Sequence, residues 1–191
     1  MLKSPPGETR PTQDKVRQAI FSGLGDFVAG ARVLELFAGS GALGLEAWSR
    51  GAAEVVWVES DRRALAVLKE NVSQLCPDAG ATAKCVGADV FKFLDFSGRG
   101  LLAPRTAPDA DKPVGQFDLV LADPPYDRAN DQRWLEKTLP ALEAGPILRP
   151  GGFLVFELGI YGRPAVRAGW ALIWERTYGG TRVLMYRREE A

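Results

Sequence analysis

The 191-residue chain has no histidine. That excludes imidazole general bases, His-based triads and histidine metal ligands. Cysteine is almost as scarce, with Cys76 and Cys85 the only two and no CxxC between them. A disulfide framework and a paired-thiol metal site are therefore not expected, and both thiols are read as reduced and partly buried. Basic and acidic residues balance at 24 each, so no global field attracts a polyanion. No apolar run approaches the ~20 residues of a membrane helix. The polar, Pro-rich stretch from Met1 to Thr9 has no signal-peptide core. The expectation is a single cytoplasmic domain spanning 1–191, monomeric and without membrane association. Its catalysis, if any, must use carboxylates, backbone groups, aromatics or a cofactor.

The charge that is present is unevenly spread. Residues 1–24 carry Lys3, Arg10, Lys15 and Arg17 against Glu8 and Asp14. From Tyr161 onward Arg163, Arg167, Arg176, Arg182, Arg187 and Arg188 face Glu175, Glu189 and Glu190. Both ends are basic, which suits contact with nucleic-acid phosphates as well as it suits a solvated surface.

The hydrophobic pattern alternates strand and helix. In the basic segment 1–25, Thr12 is a plausible N-cap, and Val16, Ala19, Ile20, Gly23 and Leu24 form the stripe of an amphipathic helix. Arg32 to Phe37 reads as a buried strand, followed by a glycine-rich turn and a helix to about Arg50. Val55 to Glu59, Ala83 to Val86, Phe117 to Ala122 and Phe153 to Leu158 read as further strands. Helices fall between them, one of them marked by Leu65, Leu68, Val72 and Leu75. Residues 95–116 lack periodicity and read as a flexible loop insertion. Arg149 to Gly152 reads as a turn, and the chain ends in a hairpin around Gly179-Gly180. Such alternation implies a Rossmann-like, mostly parallel sheet with helices on both faces and ligands at the strands' carboxyl ends.

Two motifs fall at those ends. The first is Gly39-Ser40-Gly41-Ala42-Leu43-Gly44, between a strand and a helix. Glycine permits the tight turn and a close ligand approach, and the helix start presents unpaired N–H groups. Glu59 ends the next strand 20 residues after Gly39, where a carboxylate can accept both ribose hydroxyls of a nucleoside. This much suits a dinucleotide or S-adenosylmethionine. Glu35, just before the loop, favours the cationic ligand and opposes a pyrophosphate. A side chain at Gly41 is expected to intrude on the ligand. Asp89, after the third strand, can accept from an adenine amino group or cap the following helix.

The second motif is Asp123-Pro124-Pro125-Tyr126, after the fourth strand. Two prolines fix the backbone and remove two N–H donors. The Asp123 carboxylate and the Pro124 carbonyl are left as a rigid pair of acceptors, suited to an NH2 group with two protons to place. Tyr126 offers a flat face for a base drawn out of its stack. An exocyclic amine is a poor nucleophile because its lone pair is delocalised. Two acceptors favour pyramidalisation and stabilise the charge that develops as the nitrogen attacks.

Together, Arg10 to Arg17 (RPTQDKVR), Leu34 to Ala47 (LELFAGSGALGLEA), Glu59 and the DPPY motif resemble the RsmD-like family of bacterial small-subunit ribosomal RNA guanine-N2 methyltransferases. The resemblance runs from Leu2 nearly to the end of the chain. It implies a class I methyltransferase fold: a seven-stranded, mostly parallel sheet with an antiparallel last strand. It implies S-adenosylmethionine as donor, no metal, and as acceptor a guanine of ribosomal RNA, free or within an assembling small subunit. By resemblance Glu35, Phe37, Gly39, Ser40, Gly41, Glu59 and Asp89 hold the donor. Asp123, Pro124 and Tyr126 carry catalysis; Pro125, Tyr126, Arg10, Thr12, Asp14 and Arg17 meet the RNA. Family members usually begin with a further basic, strand-forming segment ahead of Leu2, and the insertion at 95–116 is longer than theirs.

Other readings remain open on the residues alone. An adenine-N6 methyltransferase of DNA or RNA uses DPPY equally well. A nicotinamide-dependent oxidoreductase is allowed by the glycine loop but opposed by Glu35, by DPPY and by the lack of a proton relay. A non-catalytic RNA binder has no need of the Asp123 carboxylate. A base-C5 methyltransferase needs a nucleophilic cysteine beside the DPPY loop, where neither Cys76 nor Cys85 lies.

Overall fold

A computed structural model describes residues 11–97, 116–125, 133–145 and 147–190. Helices α1 (Pro11–Leu24), α2 (Ala42–Ser49), α3 (Arg62–Leu75), α4 (Val90–Ser97) and α5 (Trp134–Ala144) alternate with strands β1 (Arg32–Leu36), β2 (Glu54–Glu59), β3 (Ala83–Gly87), β4 (Phe117–Ala122) and β5 (Leu148–Gly159). Strands β6 (Trp170–Tyr178) and β7 (Thr181–Arg188) close the chain. The seven form one sheet in the order β3-β2-β1-β4-β5-β7-β6. Strands β1 to β5 pair in parallel, and β7 lies antiparallel between β5 and β6. The expected architecture is therefore the observed one. No helix among the described residues is long and apolar enough to cross a membrane.

The period-2 pattern sorts the core into two layers. Val33, Val55, Trp57, Leu119, Leu121 and Val155 meet α1, α2 and α3 on one face. Leu34, Leu36, Val56, Val58, Val120 and Phe156 meet α4 and α5 on the other. Burial of a side chain of this size stabilises by about 1.5–3 kcal/mol. The chain order reverses between β1 and β4, which run side by side with Leu36 opposite Ala122. The loops that leave these two strands are consequently neighbours, at the crevice where such sheets bind ligands.

Three expectations about boundaries are corrected. Helix α1 begins at Pro11, so Thr12 lies inside its first turn and not at the cap; proline suits that first position because its missing N–H would have no partner there. Helix α4 runs to Ser97, so residues 95–97 are helical and only 98–115 of the expected insertion lie outside the described residues. Arg149 to Gly152 is not a free turn but part of β5. The pairing shifts between Phe117–Leu148 and Leu119–Phe153, and Gly151 takes a left-handed φ of 73° within that irregularity.

Candidate active site

The glycine loop is built by hydrogen bonds from beneath. Strand β1 stops one residue earlier than its apolar run, because Phe37 turns to a φ of 57°, uncommon for a residue with a Cβ. Ala38 N–H then donates to the Val58 carbonyl at 3.0 Å, and Gly41 N–H to the Ala38 carbonyl at 2.7 Å. Gly39 and Gly41 both sit at positive φ, 54° and 82°. They differ in what surrounds them. A Cβ on Gly39 would meet nothing within 4 Å, whereas one on Gly41 would come within 2.4 Å of Leu68 Cδ1. The open side of the loop is thus at Gly39. The expected intrusion of a Gly41 side chain on the ligand is corrected: it points into the core.

Glu59, 8% exposed, spans two backbones. Its Oε2 accepts from Gly39 N–H and its Oε1 from Asp61 N–H, each at 2.7 Å. An ionised carboxylate has about four lone-pair sites, so both oxygens can still accept from ligand hydroxyls. Asp61 in turn caps α3 by accepting from the N–H groups of Arg63 and Ala64. Asp89 stands exposed at the start of α4, where its Oδ1 accepts from Lys92 N–H at 3.0 Å. It is a helix cap, and its exposed edge leaves room for a further donor.

Glu35 is buried beneath the loop, 3% exposed. Its Oε2 accepts from Gly44 N–H at 2.7 Å and so ties the start of α2 to β1. Burial raises its pKa from 4.5 to about 8, against the lowering effect of the Gly44 and Leu43 N–H groups. Its direct part is bracing the loop.

Two bracing residues escaped the sequence reading. Asn71, 1% exposed on α3, donates from Nδ2 to the Ser40 carbonyl at 3.0 Å. Trp57 Nε1–H reaches the Gly41 carbonyl at 3.4 Å. The signal for Asn71 was there: a polar residue inside the apolar stripe of Leu68 and Val72. Phe37 is likewise supported from below, edge-on to Trp134 at 5.4 Å and to Phe91 at 6.3 Å, while Phe91 and Trp134 stack at 6.0 Å.

Asp123 follows β4 directly, exposed beside the loop that leaves β1, with Pro124 half-buried and Pro125 exposed. Tyr126 lies outside the described residues, as do Arg10 and the side chain of Thr12. On α1, Arg17 is engaged within the protein: Nη2 meets Asp14 Oδ1 at 2.9 Å and Nε meets Glu46 Oε2 at 3.5 Å. Cys76 is buried on the α3 side and Cys85 lies on the outer strand β3, with β2 and β1 between it and β4. Burial raises both thiol pKa values, which leaves neither an activated nucleophile.

A parallel sheet with an antiparallel last strand, and a braced glycine turn beside an Asp-Pro-Pro turn at its switch point, defines the fold of the class I methyltransferases. Within that class the chain belongs to the family described as Conserved hypothetical protein 95, whose model matches residues 1–187. It is 33% identical over 181 residues to ribosomal RNA small subunit methyltransferase D of Escherichia coli, an alignment covering 94% of this chain and 80% of that protein. The solved structure of yhhF from Escherichia coli superposes with a TM-score of 0.77 at 33% identity, covering 100% of this chain and 92% of that one. A hypothetical protein of Thermus thermophilus superposes with a TM-score of 0.72 at 28% identity, covering 100% and 93%.

Proposed function

We propose that this protein transfers the methyl group of S-adenosylmethionine to the exocyclic N2 amine of a guanine in small-subunit ribosomal RNA, in the cytoplasm, with the RNA free or in an assembling subunit. The observation that carries the reading is the adjacency of two turns. The open face of Gly39 and the Asp123-Pro124 acceptor pair leave neighbouring strands at the same height, after Leu36 and Ala122. A methyl donor and an amine can meet there. The name of the Escherichia coli relative supports ribosomal RNA as the acceptor.

In this reading the turn Gly39-Ser40-Gly41 lets the donor approach its backbone closely, Glu59 and Asp89 accept from its hydroxyls and amino group, and Phe37 walls it. The donor supplies an electrophilic methyl carbon. Asp123 and the Pro124 carbonyl orient the amine's lone pair and accept its protons as positive charge develops on nitrogen. Pro125 stiffens the turn and Tyr126 stacks on the base. Arg10, Thr12, Asp14 and Arg17 line the approach for RNA. Adenine-N6 methylation is the competing reading, because an Asp-Pro-Pro pair accepts from either amine.

The test maps the product. Nucleosides from small-subunit RNA of a strain lacking the gene should lack one N2-methylguanosine, and purified protein with S-adenosylmethionine should restore it. Asp123→Ala should cut the single-turnover rate at least about a hundredfold, as loss of a transition-state acceptor does, with donor affinity intact. A methyl group recovered on adenosine, or a variant with most of its rate, would refute the reading.

A further inference from the structure

Glu157 on β5 takes no part in the site described above. The last β4–β5 pair is Ala122 with Phe156, so Asp123, just past the end of β4, and Glu157 of β5 come next side by side. Phe156 and Leu158 belong to the layer under α4 and α5. By alternation Glu157 faces the opposite side with Val155, as Glu35 does on β1. Burial raises its pKa, and the negative charges of Asp123 and Glu35 raise it further. On its other flank β7 opposes it with the apolar Val183, and Arg176 of β6 stands beyond. Among the described residues Glu157 makes neither a hydrogen bond nor an ion pair. Glu157 is only half-buried, and a carboxyl that no protein group engages, reaching solvent beside the Asp-Pro-Pro turn, points to a ligand.

We propose that Glu157 is a base-reading residue for the reaction above, its O–H donating to guanine O6 while its carbonyl accepts from guanine N1–H. A neutral carboxyl carries one donor and one acceptor on adjacent oxygens, and guanine presents the complement on adjacent ring positions. This pairing leaves N2 free to reach Asp123. Adenine would be held wrongly: the same carboxyl would donate to N1 and capture the N6 amine itself, drawing the nucleophile away from Asp123. The inference rests on the guanine-N2 reading and deepens it, since Asp123 by itself accepts from either amine.

Glutamine keeps one donor and one acceptor in the same places and cannot ionise, so it separates the base-reading role from a purely structural one. The assay uses the full chain, labelled S-adenosylmethionine and small-subunit particles from a strain lacking the gene. Glu157→Ala should lower kcat/KM at least about tenfold, the loss of a hydrogen-bonded pair. Glu157→Gln should stay near wild type at neutral pH. As pH rises through the carboxyl's raised pKa, wild-type kcat/KM should fall because the donor is lost, while Glu157→Gln holds its value. Donor affinity should change little in either variant, and Glu157→Gln should melt no lower than wild type. An alanine variant as active as wild type overturns the inference, as does a glutamine variant as damaged as alanine. A glutamine variant that keeps the wild-type alkaline fall overturns it too. Methyl recovered on a base other than guanine overturns the underlying reading first, and is seen in wild type before any variant is made.

Discussion

Replacing Glu35 with glutamine removes a carboxyl that the fold holds far from its ordinary titration range. Its pKa rises from 4.5 to about 8, principally through burial. In the unfolded chain it ionises near its ordinary value, so between these two pH values the folded state holds a proton that the unfolded state has lost. Stability attributable to this group is therefore complete below about pH 4.5 and is lost progressively up to about pH 8. At 1.36 kcal/mol per unit, the shift corresponds to about 5 kcal/mol over that window, with no discount for screening because the side chain is 3% exposed. Glutamine keeps an oxygen for Gly44 N–H and cannot ionise. Any misfit of its amide against Trp57 shifts the whole curve and not its slope. Urea unfolding at half-unit steps from pH 5 to 9 should show a falling wild-type midpoint and a clearly shallower fall in Glu35→Gln, with Glu157 accounting for part of what remains. Superimposable slopes would refute the reasoning, because the buried carboxyl would then carry no linkage. The same argument gives a sign for ligand binding. A cationic donor above the loop favours the ionised form, so donor affinity should rise with pH toward 8 in wild type and less in the variant.

The two loop glycines should respond oppositely. Gly39→Ala meets open space and costs only the ~1–2 kcal/mol of a left-handed residue with a Cβ, yet it should weaken donor binding by calorimetry. Gly41→Ala carries the same left-handed cost and also drives its Cβ against Leu68, so it should be destabilised by about a further 1–3 kcal/mol of overpacking and melt lower; equal donor affinities in the two folded variants would remove Gly39 from the donor face. Arg17→Ala breaks partly exposed ion pairs to Asp14 and Glu46 and should cost about 0.2–1 kcal/mol of stability. It should also weaken RNA binding and flatten the salt dependence by about one phosphate contact; RNA binding unchanged would leave Arg17 to its ion pairs with Asp14 and Glu46 alone.

Much of this molecule follows from local pattern. Alternation of apolar residues in Val55 to Val58 and spacing of Leu65, Leu68 and Val72 are properties of a few neighbouring residues, and they report period 2 and period 3.6 without reference to the rest of the chain. The glycines of the loop were legible for the same reason, since a left-handed turn leaves its mark on the residues that make it. The stiffness of the Asp-Pro-Pro turn was legible because proline chemistry acts on its own backbone. What needed the tertiary structure is whatever depends on partners far along the chain. Arg149 to Gly152 carries every local signal of a turn, yet pairing with β4 draws it into β5. Glu35 and Glu59 both looked ready to face a ligand. Only the packing of Trp57 and α2 over Glu35 turns it to bracing the loop, and only the N–H groups of Gly39 and Asp61 beside Glu59 show that it braces the loop as well. Gly39 and Gly41 look equivalent in the sequence, and the position of Leu68 alone decides which faces outward. Glu157 is one more glutamate in an apolar strand until the sheet sets it beside Asp123, because a carboxyl's charge state is decided by its neighbours in space and by its distance from water.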